Sequence, residues 1–180
     1  MIVAFDATVL VYVVDENAPA PIDPGTGKPV TDCRQRIEYL LETLQKDDAK
    51  IVIPTPALGE VLVKAQQMAP ELLRRLNSSK HFRIAPFDTM AAVEYSSMHA
   101  QRLGKATTNR TKAKFDEQIV AISRVENVQI IYSDDGDIAK LAGPKIKVMG
   151  IAELPLPPAK AQSDMFDPHY SQDPNYGKWG

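Results

Sequence analysis

The sequence predicts an α/β domain built on a parallel β-sheet. Three observations carry that reading. Short runs of strand character alternate with longer helical stretches, as a parallel sheet with helical crossovers requires. The short runs are almost unbroken in apolar character, which is the pattern of strands covered on both faces. A chain of 180 residues with 44% hydrophobic content can bury one sizeable core.

The elements follow in order. IVAF at 2–5 reads as the first strand, and a helix is expected over 8–14. Residues 15–31 (DENAPAPIDPGTGKPVT) concentrate proline, glycine and polar side chains, so they read as a surface loop inserted before the next helix at 32–47. IVI at 51–53 is the second strand. Thr55 before Pro56 reads as an N-cap with proline at the first helical position, opening a helix over 56–68. Pro70 opens another over 70–78, FRIA at 82–85 is the third strand, and Asp88 can cap a helix over 88–103. The helix over 113–126 carries Phe115, Ile119 and Ile122 at helical spacing, marking its buried stripe. VQIIY at 128–132, a short helix over 136–142 and IKVM at 146–149 complete the domain, expected to span 1–152. From Leu154 onward the chain is rich in proline and polar residues, so 153–180 reads as a tail without its own core.

Composition excludes several classes. With 21 basic and 23 acidic residues the formal net charge is -2, so any nucleic-acid binding must come from a local patch. The single cysteine, Cys33, allows neither an internal disulfide framework nor a cysteine-based zinc site, and a reducing compartment, the cytoplasm, is expected. No stretch is long and apolar enough to cross a membrane. His81, His99 and His169 lack a second metal-type residue at useful spacing and read as non-catalytic.

Six acids stand where a strand passes into a helix or on the inward edge of one: Asp6, Glu60, Asp116, Asp134, Asp135 and Asp137. In parallel sheets ligands collect outside the carboxyl ends of the strands. Asp6 follows the first strand directly and Asp135 follows the fourth; Glu60 lies one turn into the helix after the second, and Asp116 borders the apolar stripe of its helix. Carboxylates converging at one rim form a hard oxygen cage of the kind that suits Mg²⁺ or Mn²⁺. Each acid also has a plainer explanation taken singly: Asp6 as a helix cap, Glu60 as a solvated helix residue, Asp116 as favourable charge in a first turn, and the Asp134–Asp137 cluster as an ordinary turn.

The set, in order, resembles the PIN domain, the nuclease fold of many toxin-antitoxin ribonucleases of the VapC type. The residues that carry the resemblance are Asp6 in FDATVL, Glu60 in TPALGEVL, Asp116 in KFDEQIVAIS and the final YSDDGDI, and it extends over roughly 1–150. It implies a three-layer α/β/α fold with about five parallel strands and a Mg²⁺- or Mn²⁺-dependent endoribonuclease. Asp6, Glu60, Asp116 and Asp135 match the four acids, with Asp6 and Asp116 the pair most directly implied as metal ligands, Asp137 assisting and Asp134 at a variable place. Thr8 and Ser133 offer hydroxyls that could orient carboxylates or waters, or cap helices. The resemblance also implies homodimers and an antitoxin partner. Small toxins of this kind are usually shorter, without the 15–31 insertion or so long a tail, so an RNA-processing nuclease is the rival role, and a non-cutting scaffold that binds RNA or protein is the non-enzyme alternative.

Two further strings have candidate roles. Arg102, Lys105, Arg110, Lys112 and Lys114, interleaved with small polar residues, suit phosphate binding just ahead of Asp116; a solvated charge run is the plainer reading. Gln162–Phe166 (QSDMF) resembles in part the short peptide by which bacterial proteins bind the sliding clamp, whereas a tail anchored by its apolar rings is the alternative.

Overall fold

A computed structural model of the chain describes residues 1–15, 17–102 and 110–158, with the backbone alone described at 101, 102 and 110–112. The elements are β1 (Ile2–Phe5), α1 (Ala7–Leu10) tightening into a 3-10 turn (Val11–Val13), α2 (Cys33–Lys46), β2 (Lys50–Pro54), α3 (Thr55–Ala65), α4 (Ala69–Ser78), β3 (Phe82–Ala85), α5 (Thr89–Arg102), α6 (Arg110–Val125), β4 (Ile130–Tyr132), α7 (Gly136–Ala142) and β5 (Lys147–Met149). All five apolar runs are strands, though the fourth begins two residues later than its sequence pattern.

The strands form one sheet in the order β3-β2-β1-β4-β5, and every pairing is parallel. This order makes β1 central. The chain builds outward from β1 through β2 to β3, then returns to the other side of β1 with β4 and β5. The seam between β1 and β4 is therefore the point where the winding reverses, and a crevice opens there at the carboxyl ends of the strands. Asp6 and Ser133 are the residues that leave the two strands at that crevice. Their backbones stay tied to the sheet: Asp6 N–H donates to Tyr132 O at 3.1 Å and Ser133 N–H to Met149 O at 2.9 Å.

Burial explains why the strands lack polar residues. Val3, Ala4 and Phe5 of β1, Ile51, Val52 and Ile53 of β2 and Ile131 of β4 are all buried, because helices cover the sheet. Phe5 and Tyr132 meet edge-to-face across the β1–β4 seam, with ring centroids 5.6 Å apart. The core continues past the fifth strand: Leu154 is buried, and its carbonyl accepts from the Arg36 guanidinium on α2.

Two local expectations need correction. Thr55 is not an N-cap: α3 already includes it, with Pro54 at the cap, and its hydroxyl instead accepts from Phe87 N–H. A hydroxyl at a helix start can serve a neighbouring loop as readily as its own helix, and here the loop after β3 takes it. Phe115 is not on the buried stripe of α6 but 44% exposed. The buried face at that turn is formed by Asp116 and Glu117, so polar residues occupy the inward position that hydrophobic periodicity assigned to an aromatic. The 15–31 segment carries local ties of its own. Ile22 bridges Pro29, Asp23 accepts from Gly25 N–H and Thr26 Oγ1, and Gly27 adopts φ +67, a left-handed conformation that glycine reaches without strain. Asp88 does cap α5, accepting from Ala91 N–H at 2.9 Å.

Among the described residues no helix is long and apolar enough to cross a membrane. Gln162–Phe166 and Lys105 lie outside the described residues, as do the side chains of Arg102, Arg110 and Lys112; Lys114 is exposed near the start of α6.

Candidate metal centre

Three acids come together at the mouth of the crevice. Asp116, Asp135 and Asp137 each offer a carboxylate oxygen, and these oxygens lie within 4.8 Å of one another. The burial is graded: Asp116 on α6 is 6% exposed, Asp135 is partly buried and Asp137 is exposed. Two of the three come from one turn. Asp135 is the N-cap of α7 and its Oδ1 accepts from Asp137 N–H at 2.8 Å, which draws both carboxylates to the same end of the helix. The cap is also what holds the pair together. Lys140, one turn further along α7, donates to Asp137 Oδ1 at 2.8 Å across an exposed surface.

Asp6 forms the inner wall beside this group rather than part of it. It is 4% exposed, and its Oδ2 accepts from Ser133 Oγ at 2.8 Å and from Thr8 Oγ1 at 3.1 Å. Neither hydroxyl is a helix cap. Ser133 Oγ also accepts from Asp135 N–H, and Thr8 Oγ1 accepts from Asp134 N–H, so the two hydroxyls bind the strand end of β1 to that of β4. Asp6 itself makes no side-chain cap to α1. Burial is the largest influence on its carboxyl and pushes the pKa above the ordinary value, against the hydrogen bonds from the Ser133 and Thr8 hydroxyls, which favour the ion.

Asp134 is a tie in the same turn. Its Oδ1 accepts from Ile151 N–H at 2.9 Å, which fastens the turn after β4 to the turn after β5. Burial raises its pKa, helped by the charges of Asp6 and Glu153. Gly150 makes the approach feasible, because a Cβ there would stand 2.8 Å from Asp134 Oδ1. Gly150→Ala is therefore expected to push Asp134 aside and destabilise the fold by about 1–3 kcal/mol, the range for overpacking a tight site. Urea unfolding measures it, and a stability equal to wild type would mean that the turn yields freely.

Glu60 stays outside the carboxylate group, exposed on α3. Sequence reasoning missed Glu117, a buried acid adjacent to Asp116 that bonds His99 Nδ1 at 3.1 Å. Its helical spacing to Val120, Ala121 and Arg124 was the available signal, because it sets Glu117 on the same inward face.

The donor set fits a hard divalent cation. It is all carboxylate, and opposite ligands of an octahedral Mg²⁺ stand about 4.2 Å apart, close to the spread of the three oxygens. Asp6 and Asp134 stand beside it, both held above their usual pKa chiefly by burial, and a nearby cation would favour their ionised forms. Next to the site a cleft of about 520 Å³ runs between α1, the 15–21 segment and α3, lined by Thr8, Tyr12, Val61, Lys64, Met68 and Asp134 among others. Tyr12 donates to Pro19 O at 2.9 Å and so holds the loop against this cleft.

No protein-family model matches the sequence, nor does any curated protein sequence. Solved structures do match in fold. VapBC2 from Rickettsia felis, bound to a promoter DNA fragment, superposes with a TM-score of 0.58 at 16% identity, covering 83% of this chain and 98% of that one. DNA-bound VapBC from Salmonella typhimurium gives 0.55 at 15% identity over 84% and 99% of the two chains. The Sarcin-Ricin loop cleaving toxin VapC20 of Mycobacterium tuberculosis gives 0.55 at 12% identity over 82% and 99%.

Proposed function

From the premise that this chain has the PIN-domain fold of VapC-type toxins, we propose that it is a Mg²⁺- or Mn²⁺-dependent endoribonuclease whose centre is formed by Asp116, Asp135 and Asp137. The observation that carries the proposal is the convergence of these three carboxylates at the crevice between β1 and β4. Asp6 belongs to the same constellation as its buried wall, oriented by Ser133 and Thr8. Glu60, from the rim of α3, is proposed as the outermost acid, and it would join as substrate or cation approaches.

Asp116, Asp135 and Asp137 would hold the ion. When bound, the ion supplies an acidified water and charge stabilisation for phosphodiester hydrolysis. The protein's share is positional. The α7 cap fixes Asp135 against Asp137, the two hydroxyls fix Asp6, and α6 presents Asp116 from the opposite side. Lys114 and the basic residues Arg102, Lys105, Arg110 and Lys112 are proposed to take the RNA backbone, contributing affinity without base choice. A nuclease domain over 1–152, with Leu154 at the start of the 153–180 tail packed into its core, working as a homodimer in the cytoplasm, completes the reading. Its similarity to VapBC complexes supports an antitoxin partner, and the apolar cleft beside the acids is a surface for one.

The test is cleavage of purified RNA by the wild-type chain with Mg²⁺ or Mn²⁺ and with a chelator. Metal-dependent cleavage is expected, with no cleavage after chelation. Cleavage that persists in the chelator would reject the metal mechanism; RNA binding without any cleavage would leave the scaffold role in its stead.

A further inference from the structure

We infer that Glu117 is a positioning residue for the acid centre: anchored to α5 through His99 and Tyr95, it sets the rotation of α6 and so the direction in which Asp116 points. The inference rests on the reading of Asp116 as a cation ligand. Successive residues on a helix diverge by about 100°. Asp116 and Glu117, both buried, therefore serve different neighbours: Asp116 meets the α7 turn and Glu117 meets α5.

The contacts of Glu117 form a continuous bracket. Its side chain is 4% exposed, and Oε2 lies 3.1 Å from His99 Nδ1. The His99 ring stacks on Tyr95 one turn away, with centroids 5.8 Å apart and planes 14° apart. Burial, the charge of Glu117 and a hydrogen bond toward it hold the Tyr95 hydroxyl above its usual pKa. Tyr95 in turn meets Phe87 edge-on, and Phe87 N–H donates to Thr55 on α3. A second tie lies two turns along the same face of α6, where Arg124 binds Glu94 of α5 at 2.9 Å and the Leu141 carbonyl of α7 at 3.2 Å. Ties at the middle and near the C-terminal end of one helix face resist rolling, and the helix they restrain bears Asp116.

The chemistry supports a directional role. An apolar side chain at 117 would pack against α5 without adding a buried negative charge beside a carboxylate cluster. The acid instead offers oriented hydrogen bonding. Side-chain tips stand about 5–6 Å from a helix axis, so a roll of about 20° would move the Asp116 carboxylate by about 2 Å. Misplacement of about 1 Å can already cost about a hundredfold in rate.

Mn²⁺ alone is the probe, its affinity measured by electron paramagnetic resonance, alongside amide hydrogen exchange of residues 113–119 without metal. Glu117→Ala is expected to weaken Mn²⁺ binding about tenfold, as loss of a supporting partner does, and to speed exchange in α6. Glu117→Gln keeps an acceptor for Tyr95 and a partner for His99, so it is expected within about threefold of wild type; His99→Ala should fall between the two. Wild-type affinity in Glu117→Ala overturns the inference. Equal losses in the Gln and Ala variants overturn it as well, because charge rather than direction would then be at work. Should the Ala variant fail to fold, unchanged Mn²⁺ affinity in His99→Ala is the overturning result. If wild type and Asp116→Asn bind Mn²⁺ alike, it is the cation reading of the centre that fails, with the inference built on it.

Discussion

Asp116→Asn is expected to reduce Mn²⁺ affinity and RNA cleavage by more than about a hundredfold, beyond the loss typical of a supporting partner, with little change in unfolding. Asp116 is the most buried of the three grouped acids and the one that comes from a separate element, since Asp135 and Asp137 share the first turn of α7. Without it the centre retains two adjacent acids on an open surface and no opposite wall. Asparagine preserves the volume and one acceptor oxygen, so packing around Ile119 and Ile122 is kept. Calorimetric Mn²⁺ titration and a gel assay on the same preparation check the two effects. Full cleavage with normal Mn²⁺ binding would remove Asp116 from the centre.

Asp6→Asn is expected to act in opposite directions on stability and on activity. Burial holds the Asp6 carboxyl above its ordinary pKa of 3.8, so the folded state keeps this proton more tightly than the unfolded chain does. A group of that kind contributes stability that is complete below 3.8 and is lost as pH rises through the raised folded-state value. Metal-free protein should therefore lose stability across that window. Asp134, raised by burial and in part by Asp6 itself, adds to the same slope. Asparagine removes the charge and can still accept from Ser133 and Thr8. Its metal-free melting temperature at pH 7 should exceed that of wild type, by about 2–4 °C for each kcal/mol relieved in a chain of this size. The stabilisation that Mn²⁺ gives wild type should shrink, and cleavage with it. Differential scanning fluorimetry from pH 4 to 8, with and without Mn²⁺, reads both. A variant less stable than wild type at pH 7 without metal would contradict the burial argument.

The legible part of this protein is the part governed by periodicity and chain order. Apolar runs such as IVAF and IVI had to be central strands, because both their faces demand cover, and the acids that follow them in sequence had to lie at one end of the sheet. What stayed hidden depends on rotation and on contacts across long sequence separations. Asp6 and Ser133 are 127 residues apart, and nothing in either segment reveals their hydrogen bond. Phe115 shares helical spacing with the buried Ile119 and Ile122 and is nonetheless exposed, because which side of α6 is covered at that turn depends on where α5 and α7 pack, and they take Glu117 and Asp116. Asp134 stood at a variable place of the resemblance because its role is a backbone tie to Ile151 in the turn after β5, which the sequence around it does not reveal.

The most direct test of the metal centre is anomalous diffraction from crystals soaked in Mn²⁺. The arrangement of Asp116, Asp135 and Asp137 predicts a peak within about 2.0–2.3 Å of oxygens from these carboxylates, and none in Asp116→Asn. A wild-type crystal that binds Mn²⁺ elsewhere, or not at all at concentrations that support RNA cleavage, would contradict it.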